Sequence, residues 1–260
     1  MSTMRSLLLL LLGITAAFAQ SDYDLLLKGG HVIDPKNKIN GVRDVAIKDG
    51  RIAEVAGSIP ASKALKVVDV SGLYVTPGLV DIHVHVFAGW GPAYTGVNSV
   101  FPDGFTFRSG VTTVVDAGSS GWRTFPEFRQ HIIDHSRTRV LSMLNIVGKG
   151  MAGDADIEQD TTDMDPKATA ETARRNKQFV VGIKSAHYRA PDWTSVERAV
   201  EAGQLAGVPV MVDFGAFLPE RPFEDLELHP IERKGKLRRI GAVGQDAICF
   251  THVSLVRAHR

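Results

Sequence analysis

The fold prediction rests on one segment of the sequence, Thr76-Pro77-Gly78-Leu79-Val80-Asp81-Ile82-His83-Val84-His85-Val86. Residues 79–86 are rich in aliphatic and β-branched side chains and follow a Pro-Gly pair, so they predict a buried strand. Because successive side chains on a strand point to opposite faces, His83 and His85 share one face. Two imidazoles about 7 Å apart on one face can converge on one divalent ion or on two adjacent ions. The alternative is two histidines that merely alternate in a core strand, but the Pro-Gly opening and the His-x-His ending together favour a metal site.

The segment from Pro77 to His85 resembles the first-strand motif of the amidohydrolase superfamily, in particular its dihydroorotase-like and deacetylase-like metallohydrolases. The resemblance covers roughly residues 23–225. It implies an α/β fold in which a (β/α)8 TIM-type barrel stands beside a small β-sandwich. It also implies one or two divalent metal ions, commonly zinc.

Length, charge and cysteine content limit the kinds of function that the chain can have. The chain has 260 residues, of which 44% are hydrophobic, and a formal net charge of +1. This length allows one large domain or two smaller ones, each with a core. The near-neutral charge gives no electrostatic reason to expect nucleic acid or an anionic membrane as a partner. Cys249 is the single cysteine, which excludes an intramolecular disulfide.

The N-terminal residues 1–19 have the pattern of a secretory signal peptide. Arg5 precedes the apolar run Leu7–Leu12, and Ala17-Phe18-Ala19 supplies a small-x-small ending. The run is too short for an ordinary membrane span. We therefore expect cleavage near Ala19 and export to a periplasm or to the medium, without a stable membrane span; an uncleaved anchor is the alternative.

Residues 20–75 predict short strands, among them a hairpin over residues 44–55 with Asp49-Gly50 as its turn. The resemblance implies that this segment is half of the small β-sandwich. Residues 76–260 alternate between strand and helix patterns and are expected to form the barrel. Further strands are predicted at residues 111–118, 140–147, 179–184, 208–215 and 247–253.

The number of units is smaller than a closed barrel requires. About six strand–helix units can be counted, whereas a barrel of this type has eight. An equivalent of the family's catalytic aspartate on the eighth strand is absent, so no catalytic residue is assigned. We therefore expect an incomplete barrel from an N-terminal fragment or a prematurely terminated chain.

Two further metal ligands are implied by the resemblance, and a third candidate stands at a position that departs from the family's pattern. Lys184 ends the fourth strand, where the family carries a carboxylated lysine; a lysine ending an apolar run is otherwise a surface residue. A buried lysine loses its charge readily, and the neutral amine can take up carbon dioxide to form a bridging carbamate. His252, in a Thr-His pair, is similar to another family ligand. Asp213 stands where many relatives have a histidine; it can bind zinc or serve as a turn residue.

Two residues are candidates for substrate contact. Asp116 lies at the end of the second predicted strand, although capping a turn is the alternative role. His187 follows Lys184 by three positions. Barrel enzymes build their sites from loops after the strands, so the loop of residues 88–105 is expected either to wall the pocket or to form an ordinary surface loop.

These features together predict an exported metal-dependent hydrolase with a small-molecule substrate. It would cleave amide, cyclic amide or acyl-ester bonds by attack of a metal-bound hydroxide. Deacetylation of an N-acyl group is the preferred reaction, and dihydroorotase-like ring hydrolysis is second. The alternative is an exported metal-binding remnant without activity; the oligomeric state is left open.

Overall fold

The computed structural model describes residues 21–89, 99–151 and 156–213, together with the backbone of residues 235–239 and 253–258. The chain divides into two compact units, one ending at Pro77 and the other beginning at Gly78. The proposed signal peptide and the candidate ligand His252 lie outside the described residues. Within the described part of the chain, no helix is both long and apolar enough to cross a membrane.

The first unit is a five-stranded sheet. Its strands are β1 (Tyr23–Asp34), β2 (Ile39–Lys48), β3 (Arg51–Ala56), β4 (Ala64–Asp69) and β5 (Tyr74–Val75). The order is β3-β2-β1-β4, and β5 also pairs with β1. The turn between β2 and β3 is Asp49-Gly50, with φ values of 50° and 69°. Two consecutive positive φ angles are typical of the tightest hairpin turns, so the predicted hairpin is confirmed.

A buried carboxylate ties the strands of this unit together. Asp44 is 3% exposed, and its oxygens accept hydrogen bonds from Lys28 Nζ (2.9 Å), Gly29 N (2.8 Å) and Ile59 N (2.8 Å). Burial alone would raise the pKa of the Asp44 carboxyl, but the bond from Lys28 and the two backbone bonds outweigh burial and lower that pKa. The carboxylate therefore joins β1, β2 and the segment after β3.

The second unit contains the strands of the predicted barrel. The parallel strands are β6 (Leu79–Val84), β7 (Val111–Asp116), β8 (Arg139–Asn145), β9 (Val180–Ala186) and β10 (Val210–Asp213). The helices are α1 (Pro102–Phe105), α2 (Phe125–His131), α3 (Pro166–Arg175) and α4 (Thr194–Ala206). Two further strands, β11 (Gly235–Arg239) and β12 (Val253–Ala258), extend the sheet in the order β11-β12-β10-β9-β8-β7-β6. Parallel strands joined by helices confirm the predicted α/β class.

Local chemistry explains where two of the helices begin or end. Asp165 precedes α3, and its Oδ1 accepts hydrogen bonds from Lys167 N (2.9 Å) and Ala168 N (3.1 Å). Pro166 occupies the first helical position, which needs no N–H donor. Gly207 ends α4 in the left-handed conformation, with φ of 72°.

Two expectations for the sheet are corrected. The first strand was expected to be buried, yet Leu79, Val80 and Ile82 are 57%, 56% and 42% exposed. The reason is that β6 pairs with β7 alone among the described strands. Of the strand predicted at residues 247–253, only Val253 is described, and it begins β12. Since β12 runs antiparallel to β10, it does not have the orientation of a sixth barrel strand.

Alternation along the strands separates two faces of the sheet. One face packs against the helices in the main core, which contains Val114, Leu144 and Val212 together with Phe128 of α2. The other face carries a smaller cluster, in which the buried residues are Val115, Ala117, Met143 and Met211.

A β-bulge in β9 sets the orientation of Lys184. Ser142 pairs with Val180 and Met143 with Gly182, so Val181 is an extra residue in β9. Gly182 then faces Met143 closely, since a Cβ atom there would lie 2.2 Å from Met143 Sδ. Two positions further on, Lys184 points to this same smaller face, at the carboxyl end of the strand.

Candidate metal centre

Lys184 lies at the centre of a polar cluster at the carboxyl ends of the strands. It is fully buried, and its Nζ lies 3.4 Å from His83 Nε2 and 3.5 Å from Asp213 Oδ2. Burial lowers the pKa of the Lys184 amine, while the neighbouring Asp213 carboxylate opposes that effect. The structure therefore brings together a lysine, a histidine and an aspartate from three different strands.

His83 and His85 both reach this cluster. Their rings lie 5.9 Å apart and are nearly perpendicular, at 75°. Burial, reinforced by the charge of Lys184, lowers the pKa of each imidazole to about 4. Both rings are therefore neutral near pH 7, the state in which an imidazole nitrogen can bind a metal. Nδ1 of His85 is hydrogen-bonded to Ser119 Oγ at 2.9 Å, which orients the ring.

Asp213 lies close to two histidine side chains, those of His83 and His187. It is 6% exposed, and its Oδ2 lies 3.8 Å from Nε2 of His83 and 3.8 Å from Nε2 of His187. Donor atoms bound at about 2.0–2.2 Å to a tetrahedral zinc ion lie about 3.3–3.6 Å from one another. The separation of 3.8 Å between His83 Nε2 and Asp213 Oδ2 is slightly longer than that spacing. Within the described residues, no group of three His, Cys, Asp or Glu side chains has the arrangement of a metal site.

The imidazole of His187 is hydrogen-bonded to Glu158, a residue that the sequence pattern did not identify. His187 Nδ1 lies 2.8 Å from Glu158 Oε2, and this hydrogen bond is the main reason that the pKa of His187 is raised. Glu158 is 6% exposed, and its Oε1 accepts from Nδ2 of the buried Asn145 (3.2 Å). Glu158 lies in an acidic segment without periodicity, whereas Asn145 ends β8 on the face of Met143, a position that alternation could have indicated.

Asp116 is the other residue predicted to contact a substrate, and its carboxyl group is hydrogen-bonded to the backbone in this structure. Asp116 is fully buried, and its oxygens accept hydrogen bonds from Val86 N (2.9 Å) and Ser119 N (2.7 Å). Burial raises the pKa of its carboxyl to about 6 against the effect of these bonds. Alternation places it on the face of Val114, away from the cluster. Capping the chain after β6 and β7, the alternative role, agrees with these contacts.

Gly118 leaves room for the stem of Lys184. A Cβ atom at Gly118 would lie 2.7 Å from Lys184 Cγ and 2.9 Å from Lys184 Cβ. Gly118 also has φ of 94°, which residues with a side chain rarely adopt. Both observations require glycine beside the lysine.

Comparisons with known proteins agree with this architecture. A deacetylase of Agrobacterium fabrum is 33% identical over 173 residues, which are 64% of this chain and 41% of the relative. A crystal structure of an adenine deaminase matches with a TM-score of 0.65 and 32% identity, over 76% of this chain and 52% of its own. A dihydroorotase structure matches with a TM-score of 0.59 and 27% identity, over 78% and 53%. No protein-family model matches the chain.

A polar cluster at the carboxyl ends of parallel strands is common to (β/α)8 barrels and to open α/β sheets, and the matched structures identify the barrel class. Within this class, the chain belongs to the amidohydrolase superfamily. The resemblance seen in residues 77–85 is thereby confirmed. The chain spans about half the length of the relatives it matches.

Proposed function

We propose that this protein is a metal-dependent hydrolase of carbon–nitrogen bonds, with removal of an N-acyl group as its preferred reaction and cyclic-amide hydrolysis as the alternative. The observation that carries the proposal is the buried cluster of Lys184, His83 and Asp213 within 3.8 Å of one another. The names of the matched relatives support the reaction class: a deacetylase removes acetyl groups, and the other two names denote hydrolysis at carbon–nitrogen bonds.

The donor chemistry fits a divalent ion, for which zinc is our proposal. His83 and His85 offer neutral imidazoles, and Asp213 offers a carboxylate oxygen at the same edge of the sheet. We also propose His252 as a ligand. When bound, such an ion lowers the pKa of a water molecule to near neutrality and polarises a scissile carbonyl.

Lys184 has two chemical states open to it in this setting. Its burial favours the neutral amine, which can take up carbon dioxide to become a carbamate with oxygen donors. Asp213 Oδ2 at 3.5 Å favours the ammonium form. We propose the carbamate for the metal-loaded protein. Reconstitution with metal should then depend on added bicarbonate, and ¹³C-bicarbonate should give a carbamate NMR signal that Lys184→Met lacks.

His187 is the proposed substrate-contacting residue. Its imidazole is 43% exposed while its Nε2 faces Asp213, so it can meet a small molecule at the cluster. With Nδ1–H donated to Glu158, Nε2 of the neutral ring accepts a hydrogen bond from a leaving amine, and Nε2–H of the protonated ring donates to a carbonyl oxygen. Export through residues 1–19 is part of the proposal.

The test is a hydrolysis assay on the full chain reconstituted with zinc. A panel of N-acetyl amino acids is compared with dihydroorotate and hydantoin, and the control is the double variant His83→Ala/His85→Ala. We expect turnover of at least one N-acetyl compound by the parent and none by the variant. An inactive parent that binds zinc would instead identify the non-catalytic alternative.

A further inference from the structure

A short turn after β8, Ile157–Gln159, is hydrogen-bonded to the chain that follows β9. Gln159 Nε2 donates to the carbonyl of His187 (2.9 Å), and Gln159 Oε1 accepts from Arg189 N (2.8 Å). Glu158, the preceding residue, contacts the His187 ring, and Asp156 pairs with the Arg189 guanidinium. Two consecutive side chains therefore contact both the backbone and the ring of His187.

The backbone of His187 is fixed in an uncommon conformation. Its φ is 50°, a left-handed value that few residues other than glycine and asparagine adopt. Its N–H donates to the carbonyl of Asp213 (3.1 Å), and its carbonyl accepts from Gln159. With both backbone groups bonded, the remaining freedom of the residue is rotation of its side chain.

Glu158 removes that remaining freedom. Its Oε2 lies 2.8 Å from His187 Nδ1, on the opposite edge of the ring from Nε2. Its Oε1 is held by Asn145 Nδ2, and the same amide nitrogen donates to the carbonyl of Gly118 (3.0 Å), the glycine that contacts Lys184. A carboxylate that is 6% exposed is costly unless it is bonded in this way. The acceptor is therefore fixed before it meets the imidazole.

We propose that Glu158 is a positioning residue, which accepts a hydrogen bond from Nδ1–H of His187 and so aims Nε2 at the substrate beside Asp213. The inference rests on the proposed function for the role of Nε2, whereas the orientation of the ring stands on the contacts alone. Removal of such an outer partner typically costs about 10- to 100-fold in activity or in metal affinity. Because Glu158 lies behind His187, we expect the loss in kcat with metal content unchanged.

The experiment uses the full chain with zinc, labelled with ¹⁵N-histidine. The variants are Glu158→Leu, which keeps the volume and removes the acceptor, His187→Asn, which tolerates the left-handed backbone, and their combination. Glu171→Leu is the matched control, since this exposed glutamate forms an ion pair with Arg175 one helical turn away on the surface of α3. Ring nitrogen shifts report which nitrogen of His187 carries the proton, with His187→Asn identifying the signal.

At a pH above the raised pKa of His187, where its ring carries one proton, we expect the parent to hold that proton on Nδ1. We expect Glu158→Leu to lose that preference and Glu171→Leu to keep it. In Glu158→Leu, kcat falls about 10- to 100-fold. When Glu158→Leu is added to His187→Asn, kcat falls less than about twofold further, because the two residues act as a unit. If Glu158→Leu does not fold, Glu158→Gln substitutes a weaker neutral acceptor and gives an intermediate loss.

Two results would overturn the inference. One is an unchanged His187 signal in Glu158→Leu or, if only Glu158→Gln folds, a kcat of Glu158→Gln equal to that of the parent. The other is a loss of kcat that persists in full when His187 is already asparagine. A parent that turns over none of the compounds contradicts the proposed function instead, and the ring nitrogen shifts still decide whether Glu158 orients His187.

Discussion

The substitution Gly118→Ala tests whether the stem of Lys184 is packed as the structure describes. The new methyl group would lie 2.7 Å from Lys184 Cγ, well inside van der Waals contact. Lys184 is fully buried, so its stem cannot move aside without displacing Nζ from His83 and Asp213. Overpacking of this kind costs about 1–3 kcal/mol. The left-handed backbone at φ of 94° adds about 1–2 kcal/mol for a residue with a side chain.

The control for the backbone contribution is Gly110→Ala. Gly110 has φ of 73°, but a Cβ atom there would meet no atom within 4 Å. Gly110→Ala therefore loses about 1–2 kcal/mol of stability through its left-handed backbone, without a steric contact of the new methyl group. Urea denaturation followed by circular dichroism should show Gly118→Ala about 1–3 kcal/mol less stable than Gly110→Ala, with lower zinc content. Equal stabilities together with equal zinc contents would refute the packing of Gly118 against Lys184.

Two other predictions concern the orientation of a ligand and the stability of the first unit. Ser119→Ala removes the partner of His85 Nδ1 and should weaken zinc binding about 10-fold in a competition titration. Ser142→Ala is its control, because Ser142 Oγ is buried without a hydrogen-bond partner among the described residues, and zinc affinity should not change. Asp44→Asn should lower the free energy of unfolding by about 2 kcal/mol near pH 7, since the charged acceptor of Lys28 is lost. The folded pKa of Asp44 is lowered, so its stabilisation is present above about pH 4 and disappears as the pH falls through that lowered value. Urea titrations across this range check the sign, and a difference between parent and variant that stays constant to about pH 2 would contradict it.

The sequence predicts those site residues that lie on regular strands. His83 and His85 follow from period-two alternation on a strand that Pro77-Gly78 introduces. The same alternation, applied to β7, places Asp116 opposite Val115 and therefore away from the cluster. Lys184 required the family resemblance, because its face depends on the bulge at Val181, which no periodicity reveals.

The features that the sequence does not predict depend on contacts between segments distant in sequence. Glu158 lies in an aperiodic loop and meets His187 at a separation of 29 residues. The left-handed conformation of His187 is uncommon for a histidine and leaves no mark in the sequence pattern. The exposure of Leu79 and Val80 depends on which strands pair with β6, and a strand's own composition does not specify its partners.

We propose that His83 and His85 join Lys184 and Asp213 in one metal site. Elemental analysis of the purified full chain, beside that of His83→Ala/His85→Ala, measures this directly. We expect about one or two zinc ions per chain in the parent and none in the double variant. A parent without metal after reconstitution with zinc, or a double variant that retains the same content, would contradict it.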